Sequence, residues 1–229
     1  MVQETMYSKQ LIKKRSGEII TELQNKKTQG IGRFVHRLEI APDEEEYLDI
    51  LAQGRFALLL HHNGFSCIDM EPSKKGPDIM ITSSRYTSYC EITRRRFKKE
   101  DYELAKSGGP SWTRPDSADN LNGIIVNKLK QLLDGEMNIV VIWSNTIKVG
   151  TPEIEEAFKW ISKEIRSNVG TYEKLSGVIL VQDGKVDLTL PNEICLVVND
   201  KAKRPLPKPF VENLRSFCRP VYSINDFSV

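Results

Sequence analysis

The stretch from Gly76 to Lys99 constrains this chain more than any other segment. It reads Gly76-Pro77-Asp78-Ile79-Met80-Ile81, then Ser88-Tyr89-Cys90-Glu91-Ile92-Thr93, then Arg94-Arg95-Arg96-Phe97-Lys98-Lys99. Both apolar runs are too short for helices, and Ser, Thr and Arg separate them, so a β-hairpin is the natural local fold. Each strand of that hairpin carries one carboxylate, Asp78 or Glu91. Acids on two paired strands give a rigid base from which several oxygens can converge, as a divalent cation requires. The second strand runs straight into a basic segment made of Arg94, Arg95, Arg96, Lys98 and Lys99.

The segments around the hairpin predict an α/β fold. Residues 1–29 are charged and sparsely apolar, with Ile19, Ile20 and Leu23 as contact candidates, and read as a helical arm. Gly30-Ile31-Gly32 ends the arm in a turn, and Phe34 to Ile40 reads as a short strand or extended connector. Asp43 is a good N-cap and Glu46 completes a capping-box pattern, so a strong helix opens here. Its apolar stripe is Leu48, Leu51, Ala52, Leu58 and Leu59, and Asn63-Gly64 closes it. Phe65 to Met70 reads as a strand leading into the hairpin.

Between Arg94 and Asn120, Gly108-Gly109-Pro110 and Arg114-Pro115 exclude a continuous helix, leaving a long loop that carries Tyr102 and Trp112. A helix from Asn120 to about Asp134 turns Leu121, Ile124, Ile125, Leu129, Leu132 and Leu133 inward. Lys128 falls on the border of its apolar face with Gln131 on the same side, and Lys130 points away. Ile139 to Trp143 is a continuous apolar run suited to a central strand buried on both faces. Thr151-Pro152 starts another amphipathic helix. Val178–Val181 and Ile194–Val198 read as further strands, with Val186–Leu190 between them. The sum is a mixed central β-sheet flanked by helices. Three parts are expected: an arm and connector over 1–40, a main domain over 41–198, and a Pro-rich tail over 199–229 packing on it.

With 229 residues, 39% hydrophobic and 28% charged, the chain can bury a substantial core, which excludes global disorder. Its net charge of +2 singles out no partner, but the basic residues cluster at 13–15, 26–27, 94–99 and 201–208. Clustered charge can steer a polyanion even on a near-neutral protein. Cys67, Cys90, Cys195 and Cys218 are widely spaced without a C-x-x-C pair, which suits a reducing, cytoplasmic setting and no zinc site. No apolar run approaches the roughly 20 residues of a membrane span.

Pro77-Asp78 followed one strand later by Glu91-Ile92-Thr93 resembles the PD-(D/E)xK, or restriction-endonuclease-like, nuclease superfamily, with Thr93 standing where that family has Lys. The resemblance covers about residues 41–198. It implies a Mg²⁺- or Mn²⁺-dependent nuclease cleaving phosphodiester bonds, with DNA as the expected substrate. Asp78 and Glu91 would be metal ligands. Glu44 would be a further ligand from the first helix of the domain, although a first-turn acid is more simply explained by the helix dipole. The family Lys orients or activates the attacking water, a role for which Thr93 has neither charge nor reach. Either Lys128 fills that gap, with the Thr93 hydroxyl positioning water, or catalysis is lost. The second case leaves a degenerate nuclease-like protein that binds nucleic acid or serves assembly. Arg94, Arg95, Arg96, Lys98 and Lys99 would neutralise phosphates without reading sequence. The arm offers a route to a homodimer, and protein–protein contact alone is a third reading.

Overall fold

The computed structural model describes residues 9–73, 76–83, 85–95, 116–144, 151–182 and 193–226. In chain order the elements are α1 (Lys9–Asn25), α2 (Ile31–Ile40), α3 (Glu44–His62), β1 (Cys67–Met70), β2 (Ile79–Ser83), β3 (Tyr86–Arg94), α4 (Asp116–Leu129), β4 (Met137–Ser144), α5 (Thr151–Ser167), α6 (Val169–Tyr172), β5 (Leu175–Gln182), β6 (Glu193–Val198), α7 (Lys208–Leu214) and β7 (Val221–Ser223). The seven strands form one mixed sheet in the order of the sequence. β1, β2 and β3 are an antiparallel meander, whereas β3, β4 and β5 run parallel. β6 returns antiparallel to β5, and β7 lies parallel to β6.

Parallel strands need crossover connections, and α4 and α5 supply them between β3, β4 and β5. These helices cover one face of the sheet, where Leu121, Ile125, Ile161 and Ile165 meet Val140, Ile142, Val178 and Leu180. The opposite face carries Cys90, Ile92, Ile139, Val141, Ile179 and Val181 under α1, α2, α3 and α7. With both faces covered, every residue of β5 is buried, which is why the parallel strands read as unbroken apolar runs.

α3 sits at the centre of the first layer. Asp43 accepts the amide of Glu46 at 2.8 Å, as an N-cap should. Every residue from Ile50 to Leu60 is buried, because the sheet lies on one side and α1 and α2 on the other. At Gly54 an added Cβ would lie 2.5 Å from Phe34 Cζ, so α2 and α3 approach as closely as they do because no side chain intervenes.

Residues 34–40 are helical, not a strand or extended connector. Ile31, Phe34, Val35 and Leu38 lie on one face of a 3.6-residue repeat and pack into the core, so tertiary contact decides a segment too short for periodicity alone. The arm is equally part of that core: Leu23 and Phe34 are fully buried in the cluster that holds Phe56 and Phe210. That cluster crosses both residue 40 and residue 198. Gly30, at φ +73°, begins α2 where Gln29 bridges to Asp69 of β1, and a Cβ there would sit 1.7 Å from the Met70 carbonyl. The helix expected from Asn120 spans Asp116–Leu129 instead. β7 pairs with β6 in a tail where the sequence suggests only a helical turn. Val186–Leu190, Tyr102 and Trp112 lie outside the described residues. Among the described residues, no helix is long and apolar enough to cross a membrane.

Candidate functional site

β3 pairs antiparallel with β2 and parallel with β4, a change of direction that β5 and β6 also make between their neighbours. The pairing of Ile79 with Cys90 and Met80 with Tyr89, continued by one residue, sets Asp78 opposite Glu91. Cys90 and Ile92 point into the core beneath α3. The alternating residues Glu91 and Thr93 therefore face the α4 side of the sheet.

Asp78 is fixed from two directions. Its Oδ1 accepts from Gln53 Nε2 of α3 at 2.8 Å, and its Oδ2 accepts from the Ile92 backbone amide at 2.7 Å. Its carbonyl accepts the Glu71 amide at 2.7 Å. Burial pushes the Asp78 carboxyl above the usual carboxylate range, against the opposing effect of the Ile92 amide. Glu71, at φ +54°, ends β1 in a left-handed turn and is held by Arg37 Nη1 at 2.7 Å. Through that turn α2 brings a guanidinium near the acids, and its charge opposes the upward shift of both Asp78 and Glu91.

Glu91 is more enclosed, with a side chain 6% exposed. Lys128, in the last turn of α4, sets Nζ 3.2 Å from Glu91 Oε2 and 2.7 Å from Gln131 Oε1. A cation at a helix C-terminus is favoured by the dipole, and Gln131 fixes its direction. Burial and the neighbouring Asp78 raise the Glu91 carboxyl to about 7 despite this lysine. Two enclosed acids side by side titrate as a pair.

The structure thus brings together Asp78, Glu91 and Lys128, with Thr93 two residues beyond Glu91 on the same side of β3. Glu44 is exposed in the first turn of α3. It is nine residues before Gln53, about 13 Å along the helix at about 1.5 Å per residue, and Gln53 is the α3 side chain bonded to Asp78. Arg94 and Arg95 are buried. Arg94 Nε lies 3.0 Å from Asp49, and its guanidinium also pairs with Glu45, so this arginine ties β3 to α3. Arg96, Lys98 and Lys99 lie outside the described residues. A search for apolar periodicity passes over Gln53; the usable signal is a lone amide in mid-helix between Ala52 and Gly54.

Among the described residues, no group of three or more His, Cys, Asp or Glu side chains forms a ready cage for a metal ion. The residues present still fit a hard cation that retains most of its water. Two adjacent carboxylates supply charge, and Gln53 Oε1 is a buried oxygen without a hydrogen-bond partner among the described residues. Comparison of the chain with protein-family models, curated proteins and solved structures finds no match.

Proposed function

We propose that the chain is a divalent-cation-dependent phosphodiesterase acting on nucleic acid, of the PD-(D/E)xK type, in which Lys128 takes the part of the motif lysine. The observation that carries this reading is the Lys128 ammonium 3.2 Å from Glu91, with Asp78 in the register position opposite Glu91. The order α3, β1, β2, β3, α4, β4 also supports it, since it presents both acids on a meander and the lysine on the following crossover helix.

In this reading Asp78 and Glu91 hold Mg²⁺ or Mn²⁺, which supplies charge neutralisation at the phosphate and an acidified water. The Ile92 amide keeps Asp78 oriented so that little reorganisation is needed when substrate binds. Lys128, 3.2 Å from Glu91, would be the ammonium available to orient the attacking water or to meet the phosphate. The Thr93 hydroxyl can hold a water but carries no charge. Exposed Arg33 and half-buried Arg37 on α2 are the described cations on the Glu71 side of the site.

Calorimetry and cleavage assays test the proposal. Mn²⁺ should bind the wild type, bind Asp78→Ala far more weakly, and bind Lys128→Ala at least as well, since that lysine competes for Glu91. Lys128→Ala should abolish cleavage of plasmid DNA, while exposed Lys130→Ala should not. Cleavage surviving both Asp78→Ala and Lys128→Ala would remove the mechanism. The Glu91–Lys128 pair also favours a second reading, because an acid already neutralised by lysine suits a retired site that binds nucleic acid without cutting. A wild type that binds DNA but is inert with every divalent ion, and regains cleavage in Thr93→Lys, decides for it.

A further inference from the structure

We propose that Gln53 is a positioning residue for the cation at Asp78, its N–H orienting the carboxylate and its Oε1 accepting a hydrogen bond from a cation-bound water. This rests on the reading of Asp78 and Glu91 as a cation site. Gln53 lies in the middle of α3, 4% exposed, flanked by the buried Ala52 and Gly54. Its Nε2 donates to Asp78 Oδ1 at 2.8 Å. With the Ile92 amide on Oδ2, both oxygens of the carboxylate are held and its plane cannot turn. The other end of the amide, Oε1, is buried and accepts no hydrogen bond among the described residues.

An unsatisfied buried oxygen is costly, and an apolar side chain of the same shape would avoid that cost, so a purely packing role does not account for glutamine here. The amide is one covalent group, so Oε1 lies within about 2.3 Å of the nitrogen that touches Asp78, by ordinary bond geometry. A water shared with a cation on Asp78 is within reach, and Mg²⁺ and Mn²⁺ sites with few protein ligands retain such waters. Glutamine meets both demands at once. A glutamate could not donate to Asp78 and would add a third negative charge to a site with two enclosed acids.

The test uses Gln53→Met, which keeps the volume and removes both donor and acceptor, and Gln53→Asn, which keeps the amide one methylene short of Asp78. Mn²⁺ affinity is measured by calorimetry, and thermal unfolding is followed without metal. Loss of a residue that orients a metal ligand lowers affinity about 10–100-fold. Both variants should show such a loss, while Gln53→Met without metal still melts cooperatively, because losing the donor to Asp78 Oδ1 is partly offset by removal of the orphaned oxygen. Should Gln53→Met not fold, Gln53→Asn carries the measurement. Variant affinities within twofold of wild type overturn the inference and leave the cation site standing, as would weakened binding matched by an equal loss of metal-free stability. A wild type that binds no Mn²⁺ overturns the cation site itself and this inference with it.

Discussion

A carboxyl group as enclosed as that of Glu91, with Asp78 beside it, keeps its proton up to about 7. The unfolded chain releases that proton near the ordinary glutamate value of about 4.3. Between these values the folded chain binds more protons than the unfolded one. The sign is therefore fixed: this contribution is fully present below the unfolded value and is lost as pH rises through about 7. Glu91→Gln should flatten the decline, read as melting temperature against pH for the two proteins in chelator. Equal slopes would mean that Glu91 does not titrate in this window. Adding Mn²⁺ should stabilise the wild type more at the alkaline end, where the cation no longer competes with a proton.

Arg94 illustrates how a residue's type can mislead about its place. Five cations in six positions read as a phosphate-binding run, yet β3 continues through Arg94 and turns it beneath α3 between Glu45 and Asp49. With its side chain only 7% exposed, Arg94→Ala should cost about 2 kcal/mol by loss of charged hydrogen bonds. The salt dependence of nucleic-acid binding should be unchanged, because a guanidinium already paired inside the protein displaces no counterions. Denaturant unfolding and binding titrations at several salt concentrations check both halves. A wild-type stability with a flattened salt slope would restore Arg94 to the binding surface.

At the scale of elements, legibility follows how local the determining physics is. The Asp43 cap, the apolar run of β4 and the two acid-bearing strands are written in a few neighbouring residues, and each forms where the sequence predicts it. Lys128 could be placed on the border of α4 by helical period alone, and there it meets Glu91. α2 was illegible because ten residues with five apolar positions satisfy more than one period, and only contact with α3 selects the helix. β7 was illegible for a similar reason, since three residues become a strand only through pairing with β6. Gln53 is the instructive miss in the site. Its partner Asp78 is 25 residues away in sequence, and no local rule joins an amide in a buried helix to an acid at a strand entrance.

For the whole molecule, the question is whether residues 1–40 are an appendage or a structural layer. Ile19 and Leu23 of α1 and Phe34 and Leu38 of α2 are all buried against α3 and the sheet. Burying each such side chain is worth about 1.5–3 kcal/mol. Together they reach the scale of the net stability of a domain, about 5–15 kcal/mol. Their removal would also expose the outer side of α3, where Gly54 has no side chain to cover the gap left by Phe34. The edge of β1 would lose its bonds to Gln29, and Glu71 would lose Arg37. A chain beginning at residue 41 should therefore fail to melt cooperatively and should bind Mn²⁺ weakly even where some structure persists, because α3 would no longer hold Gln53 against Asp78. Circular dichroism on heating and calorimetry with Mn²⁺ measure the two effects. A shortened chain that melts in one sharp transition and binds Mn²⁺ like the full one would show the first two helices to be dispensable to both core and site.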